Sequence, residues 1–198
     1  MCNSFKAVFV SAAVIVALPL AVSAQGAASG PLVVSDPVLA ASVERLTSES
    51  ASWRDGLGAV TATGRYAVVT TADAIKSGGF DSEKLAQAHP IADEQSRVGT
   101  VIVVINLELL QRLSGLPIKA VEFERDLDRI VAHEVYGHAI PFLLAGTLSG
   151  LCADPAAGQS AADACAIKRE NVIRKEMGLG QRFDYGRGSL AIARRDRQ

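Results

Sequence analysis

The spacing of apolar residues predicts a series of helices along the chain. Side chains three or four positions apart lie on one face of an α-helix, so a helix that packs on a core repeats its apolar residues at that spacing. The segments with this pattern are 37–50, 107–113, 121–144 and 161–177. A further short helix is expected at 82–88, inside a polar segment, 72–97, that otherwise has the composition of a loop.

Two segments have the composition of β-strands. Residues 59–71 are rich in Val, Thr, Tyr and Ala, which predicts a strand or a hairpin. The run RVGTVIVVINL, residues 97–107, is dominated by β-branched residues and predicts a buried strand. Small residues, Gly and Pro at 25–37 favour a flexible entry to the domain. Strands, a long helix, a loop and a second helix together indicate an α+β fold with a small mixed or antiparallel sheet.

The amino-terminal residues 1–24 have the pattern of a cleaved secretory signal. Lys6 is followed by an apolar run, 7–20, and then by small residues that end at Ala24. The apolar run is too short to span a membrane comfortably. We therefore expect cleavage after Ala24 and a single mature domain, 25–198, that is secreted or periplasmic. The alternative is an uncleaved amino-terminal anchor.

The charge of the chain does not indicate a polyanionic partner. Basic and acidic residues nearly balance, with a formal net charge of −1. Only the carboxyl-terminal tail around Arg194, Arg195 and Arg197 is locally basic, as is common for a solvated terminus. We expect neither a nucleic acid nor, after removal of the signal, a membrane as partner.

Two cysteines remain after the expected cleavage, Cys152 and Cys165. In an exported chain such a pair favours a disulfide, which would close the Gly/Ala/Pro-rich loop between them. A disulfide that closes a loop of this size stabilises the folded protein by about 3 kcal/mol in the chain-entropy model. Free thiols or sulfur ligands for a metal are the alternatives, and a metal site built from Cys alone would need more than two sulfurs.

The sequence HEVYGH at 133–138 is close to the zinc-binding pattern His-Glu-x-x-His but contains one additional residue. Positions five apart on an α-helix differ by about 140°, so His133 and His138 would point to different sides of a regular helix. A π-bulge inserts one residue into a helix and is frequent at functional sites. Gly137 lowers the steric barrier to such a distortion. Either the helix widens here, or the two histidines do not share a metal.

The residue types of this segment suit metal-assisted hydrolysis. A catalytic zinc ion takes three ligands from His and carboxylate side chains and keeps a position for water. A neighbouring carboxylate accepts the proton of that water, and Glu134 occupies the position of this general base. The chain has only three histidines, and two of them flank Glu134. The alternatives to a metal site are that His133 is a hydrogen-bonded core residue, that His138 lies near a helix end and that Glu134 is on a solvated face. His89 is expected to be a loop residue.

The histidine segment also resembles known metallopeptidases. The form His-Glu-x-x-Gly-His is similar to the zinc motif of the dipeptidyl peptidase III family, and this likeness covers six residues. Over about the last seventy residues, VAHEVYGHA and the later DACAIKRENVIRKEMGLGQRFDYG resemble the zincin metallopeptidase domain of bacterial effectors and toxin-associated proteins. The likeness implies a zincin-like fold with a long active-site helix, a second carboxyl-terminal helix and bound Zn²⁺. The chain departs from that family in its longer histidine spacing and in Asp163, where the family carries Glu.

Two acids of the last helix are candidates for the third zinc ligand. Asp163 matches the ligand position of the family, and Glu170 lies two turns later on the same helix face. Asp163 could instead cap the helix, and Glu170 could form an ion pair with Arg174. Arg182 and Tyr185, also matched by the likeness, could orient substrate or stabilise an oxyanion.

The sequence therefore predicts a zinc-dependent peptidase that acts on a peptide or protein substrate. His133 and His138 would bind Zn²⁺ with Asp163 or Glu170, and Glu134 would be the general base. One alternative is a catalytically inactive, zincin-like binding or structural module. Another is a closed metal site with a fourth protein ligand, which would serve only to stabilise the fold.

Overall fold

A mixed four-stranded sheet and a layer of helices make up the part of the chain that the computed structural model describes, residues 30–75, 80–81, 83–114, 120–147 and 161–183. The strands are β1 (Leu32–Val34), β2 (Tyr66–Thr71), β3 (Ala86–Ala92) and β4 (Val98–Ile105). Their order across the sheet is β1-β2-β4-β3. The first three in this order run parallel, whereas β3 lies at one edge and runs antiparallel to β4.

Six α-helices and two other helical segments are present in the described residues. The helices are α1 (Pro37–Glu49), α2 (Ala51–Thr61), α3 (Leu107–Ser114), α4 (Ala120–Val131), α5 (Ile140–Ala145) and α6 (Ala161–Glu176). A 3₁₀ turn follows β2 at Ala72–Ala74, and a π-helical segment, Ala132–Ala139, joins α4 to α5. The helices expected at 37–50, 107–113 and 161–177 are confirmed, and the long helix at 121–144 is confirmed with a π-helical interruption.

Local capping explains where the first two helices begin. Asp36 precedes Pro37, and its side chain accepts hydrogen bonds from the backbone N–H groups of Val38 and Leu39. A proline with fixed φ in the first helical turn favours the helix start. Ser50 ends α1 and caps α2 by accepting from the Trp53 N–H. Ser50, with an extended backbone, thus ends one helix and begins the next.

The core lies between one face of the sheet and the helices. Sheet residues on this face include Ala67, Val69, Val101 and Val103, all fully buried. On the helical side, the buried residues of the long helix include Leu127, Val131, Val135 and Ala139. Because the π-helical segment belongs to this packed layer, the core fixes its orientation relative to β3 and β4.

Three elements differ from the sequence predictions. The short helix expected at 82–88 is wrong, because residues 86–92 form strand β3, and His89 therefore lies in a strand rather than in a loop. Pairing with β4 along its whole length overrides the weak helical preference of the Ala and Gln residues there. The flexible entry expected at 25–37 contains strand β1, and the strand expected from residue 59 begins only at Tyr66, after helix α2.

Several predictions concern residues outside the described part of the chain. The expected signal peptide 1–24 and the carboxyl-terminal Tyr185 both lie there. Cys165 is disulfide-bonded, and Cys152, the partner expected from the sequence, lies outside the described residues. None of the described helices is long and apolar enough to cross a membrane.

Candidate active site

The π-helical segment Ala132–Ala139 contains the whole HEVYGH sequence. Its hydrogen bonds connect residues five apart, as in the bond from the Ile140 N–H to the Val135 carbonyl. A π-turn absorbs one additional residue, so side chains five positions apart come to the same side of the helix. The local widening that the sequence required for a shared site is present in the structure.

The carbonyl of Gly137 accepts a hydrogen bond from a side chain of another helix. Pro141 has no N–H, so the usual helical bond to the carbonyl of Gly137 cannot form. Arg169 of α6 supplies a donor instead, with its Nη1 at 3.0 Å from that carbonyl oxygen. A Cβ on residue 137 would lie 2.9 Å from the Ala166 Cβ and 3.0 Å from its Cα. Glycine is therefore required for the close approach of α6, which carries both candidate acids.

The two histidine side chains meet inside this turn. The Nε2 atoms of His133 and His138 are 3.2 Å apart, and their rings stand edge to face at 79°. His133 is almost fully buried. Burial, followed by the charge of His133, lowers the pKa of His138 to about 4, so its imidazole is neutral at physiological pH. Neutral imidazole is the form that binds metal ions.

Glu170 fixes the orientation of the first histidine. Its Oε2 accepts a hydrogen bond from His133 Nδ1 at 2.9 Å, which leaves the Nε2 lone pair of a neutral ring facing His138. Arg174 Nη1 donates to the other oxygen at 2.7 Å. Burial raises the pKa of Glu170, but the bonds from His133 and Arg174 and the charge of Arg182 outweigh it, and the pKa lies below its usual value. The ion pair with Arg174, which the sequence left open as the alternative role of Glu170, is thus present.

Asp163 lies near the second histidine and lines the cleft. It is in the first turn of α6, and its side chain is 40% exposed. One carboxylate oxygen, Oδ1, is 3.9 Å from His138 Nε2. The two acids named from the sequence therefore have different surroundings, because Glu170 is fully buried against His133 Nδ1 whereas Asp163 is partly exposed near His138.

Glu134 is buried beside the histidines and lines the same cleft. Removal from water raises the pKa of its carboxyl to about 6, and the negative charge of Asp163 acts in the same direction. No side-chain hydrogen bond to this carboxyl is formed by the described residues. A carboxyl whose pKa is close to neutrality is suited to accept and return a proton.

The segment after α6 brings Arg182 to the site. Asn171 holds its backbone on both sides, accepting from the Arg182 N–H at 2.8 Å and donating to the Arg182 carbonyl at 2.7 Å. The guanidinium Nη1 lies 3.3 Å from Glu170 Oε2. Arg182 was already named by the likeness to zincin metallopeptidases. Its two backbone hydrogen bonds with Asn171 fix it beside the buried carboxylate of Glu170.

These side chains open into a cleft of about 720 Å³. One wall is the edge strand β3 with Ala86, Gln87 and Ala88, and the other is formed by α4, the π-helical segment and α6. Arg129 of α4 also lines the cleft and was not singled out from the sequence. The sequence could have identified Arg129, because it lies four residues before His133 and residues four apart share a face of a helix.

The fit of these residues to a metal ion is incomplete in the arrangement described. Within the described residues, no group of three or more His, Cys, Asp or Glu side chains is already gathered around one point that could hold an ion. The His133 and His138 nitrogens are close enough to share one, and a change in the Asp163 side-chain rotamer would be needed to add an oxygen. No protein-family model, curated protein or solved structure matches the chain.

Proposed function

We propose that this protein is a zinc-dependent peptidase whose metal is held by His133, His138 and Asp163. The observation that supports the proposal most strongly is the 3.2 Å separation of the two histidine Nε2 atoms across the π-turn. Two nitrogens at about 2.0–2.1 Å from a tetrahedral zinc ion lie about 3.3 Å apart. The longer histidine spacing is thereby compensated by the helix geometry.

Asp163 is the proposed third ligand, and Glu170 has a different role. The hydrogen bond from His133 Nδ1 to Glu170 leaves the Nε2 atom of His133 as the nitrogen that could bind a metal. A carboxylate in that position orients the imidazole and increases its basicity. Asp163, close to His138 Nε2 and partly exposed in the cleft, can turn towards the same point as the two nitrogens.

The remaining residues of the site perform proton transfer and charge stabilisation. The chemistry that zinc supplies in such a site is Lewis acidity, which lowers the pKa of a water molecule and polarises the scissile carbonyl. Glu134 accepts the proton of the attacking water and returns it to the leaving amine. Arg182 lies where a guanidinium could stabilise the negative charge that develops on the carbonyl oxygen.

The substrate in this proposal is an extended peptide or protein segment that binds along β3. This strand is at the edge of the sheet, with β4 on one side only, and three of its residues line the cleft. Unpaired backbone groups of an edge strand can bind a further strand by main-chain hydrogen bonds. A peptide in that position would lie beside the histidines and Glu134, and the mixed sheet beside the active-site helix supports a zincin-like fold for the domain.

The metal is tested by elemental analysis of the mature protein. We expect about one zinc ion per chain, lost in a His133→Ala, His138→Ala double variant. A zinc-loaded Glu134→Gln protein should retain the metal and lose hydrolysis of a peptide library. Glu44→Gln is the matched control, because Glu44 is exposed on α1, away from the cleft. Zinc-free folded protein, or full activity of Glu134→Gln, would contradict the proposal.

A second candidate function is a metal-free binding module. The observation that favours it is the direct contact of the two imidazoles, which can hydrogen-bond to each other without an ion. In that case added zinc would change neither the thermal stability nor the NMR signals of the two rings. Peptide binding would then persist in the His133→Ala, His138→Ala double variant, whereas the peptidase proposal requires both metal and turnover to be lost.

Export of the protein is also part of the proposal. Disulfides form and persist in oxidising compartments, and the disulfide at Cys165 supports a secreted or periplasmic location. The signal pattern that ends at Ala24 points to the same compartments. Amino-terminal sequencing of the exported protein should begin at Gln25, and a protein that retains Met1 would contradict cleavage.

A further inference from the structure

Alternate residues of β3 form the backbone hydrogen bonds with β4. The Asn106 N–H donates to the Leu85 carbonyl at 2.8 Å, and these two residues face each other one step before the first paired residues of the strands. Along an antiparallel ladder, pairs that exchange hydrogen bonds alternate with pairs that do not. The β3 residues that bond to β4 are therefore Gln87, His89 and Ile91.

The backbone groups of the β3 residues between these point away from β4 and towards the free edge. They belong to Ala86, Ala88 and Pro90. Ala86 and Ala88 line the cleft, and within the part of the chain that the structure describes their outward N–H and carbonyl groups have no hydrogen-bonding partner. Proline has no N–H, and at position 90 this group would point to the free edge, so the bonds to β4 are complete without it.

Both ends of this free edge are closed to a further exchange of two hydrogen bonds. Before Ala86, the next outward N–H belongs to Lys84 and donates to the Asp81 carbonyl at 2.9 Å in a turn. After Ala88, Pro90 has a carbonyl but no N–H to donate. Of the β3 residues that line the cleft, Ala86 and Ala88 are thus the two that offer both an outward N–H and an outward carbonyl.

We propose that Ala86 and Ala88 bind the main chain of the peptide substrate and that Pro90 ends this pairing, so that the site selects a short extended segment with N–H groups at two alternate residues. The inference rests on the proposed peptidase function and specifies its substrate class. The two histidines and Glu134 line the same cleft, so the paired segment lies close to the scissile bond.

The spacing of the two alanines determines which peptide groups take part. Ala86 and Ala88 are about 7 Å apart along the strand, the advance of two residues in an extended chain. In either chain direction an added strand bonds through alternate residues, so two N–H groups of the peptide, two residues apart, face β3. Proline at either of these peptide residues removes a donor, whereas proline at the residue between them leaves both donors in place.

The first test is a scan of N-methylated peptides. One peptide that the zinc-loaded mature protein cleaves is synthesised in versions that each carry a single backbone N-methyl group away from the scissile amide. Their Kd values are measured by fluorescence anisotropy with zinc-loaded Glu134→Gln protein. We expect Kd to rise about threefold to tenfold at the alternate residues that face Ala86 and Ala88, as for a lost hydrogen bond, and to stay unchanged at the residue between them. Equal effects at all positions, or none, would overturn the inference.

The second test gives the edge a third donor. Pro90→Ala adds an outward N–H without altering a bond to β4. A peptide long enough to reach residue 90 should bind this variant about threefold to tenfold more tightly than the unmodified protein, and a peptide two residues shorter at that end should bind both equally. Ile91→Ala is the matched control, because Ile91 is half exposed on the same strand and its N–H already bonds to β4. Equal binding of the long peptide to Pro90→Ala and to the unmodified protein would overturn the role of Pro90.

The third test removes a donor from the protein. Ala88→Pro deletes an N–H that β4 does not use, and should weaken peptide binding about threefold to tenfold with little change in Tm. If this variant does not fold, the N-methyl scan and Pro90→Ala decide, because neither adds an atom to the packed side of the strand. A dimer of the unmodified protein in sedimentation velocity that Ala88→Pro dissociates would place a second copy on this edge and overturn the inference.

Failure of the proposed function can be distinguished from failure of this inference. If no peptide is cleaved by the unmodified protein, the peptidase proposal fails. Binding of a fluorescein-labelled, capped peptide of alternating Thr and Lys is then compared among the unmodified protein, Ala88→Pro and Pro90→Ala. Weaker binding to the first variant and tighter binding to the second would still support the pairing, and absence of binding would overturn it as well.

Discussion

Glu134 should destabilise the metal-free protein at neutral pH, and replacing it with Gln should therefore increase stability. Burial raises its pKa from 4.5 to about 6, so the folded protein binds this proton more tightly than the unfolded chain does. The stabilisation from the protonated carboxyl is complete below about pH 4.5 and is lost as the pH rises through about 6. Above that range the folded protein contains a buried negative charge.

The magnitude follows from the size of the pKa shift. A pKa difference between 4.5 and about 6 corresponds to about 2 kcal/mol at pH 8, and the same relation gives less than half of that at pH 5. Gln has nearly the shape of the protonated acid and carries no charge. Glu134→Gln should thus be more stable than the unmodified protein by about those amounts, which corresponds to about 4–8 °C in Tm at pH 8 for a domain of this size.

The assay is urea unfolding of chelator-treated protein between pH 5 and pH 8. Glu44→Gln, an exposed substitution of the same type, provides the control and should show no such pH-dependent difference. A variant at position 134 whose added stability does not increase with pH would refute the assignment of a buried, ionisable base. So would a destabilised variant, because it would mean that the carboxylate forms interactions that Gln cannot replace.

Three other perturbations test the geometry around the histidines. Gly137→Ala should destabilise the fold by about 1–3 kcal/mol, measured by urea unfolding, and should reduce zinc affinity, because the new methyl group meets the backbone of Ala166. Glu170→Gln should lower stability by about 3–5 kcal/mol, since it leaves Arg174 buried without its ion pair, and should weaken zinc binding by about tenfold to hundredfold through His133. Zinc added to about one hundred times its Kd should stabilise the unmodified protein by about 2.7 kcal/mol in a thermal melt, and chelation or His133→Ala should abolish the shift.

The site was predictable from the sequence where the chemistry depends on neighbours along the chain. A site shared by His133 and His138 required a widened helix at this spacing, and Gly137 indicated where it would occur. The distinction between Asp163 and Glu170 was not predictable. It depends on which histidine each acid approaches, His133 for Glu170 and His138 for Asp163, and this is decided by the packing of α6 on the π-helical segment.

The errors in the fold arose where long-range pairing determines the local structure. Residues 86–92 contain Ala and Gln and a proline, a composition that does not favour a strand, yet β4 pairs with them throughout. Pro90 is tolerated because β3 is an edge strand, where one side of the backbone needs no ladder partner. Helix α2 contains two glycines, which weakened its helical signal, and β1 has only three residues.

The π-helical segment also determines how the two halves of the long helix share one core. In an uninterrupted α-helix, Leu127 and Leu143 would differ by about 160° in direction, so they could not both face the sheet. With one residue absorbed by the wide turn the difference falls to about 60°, and both side chains are buried. A one-residue deletion inside Ala132–Ala139 would keep these two faces in phase, whereas the same deletion within α4 or α5 would rotate one face away from the core. We therefore expect that deletion of one residue from the wide turn would convert the six-residue histidine motif into a five-residue one while the core packing is kept.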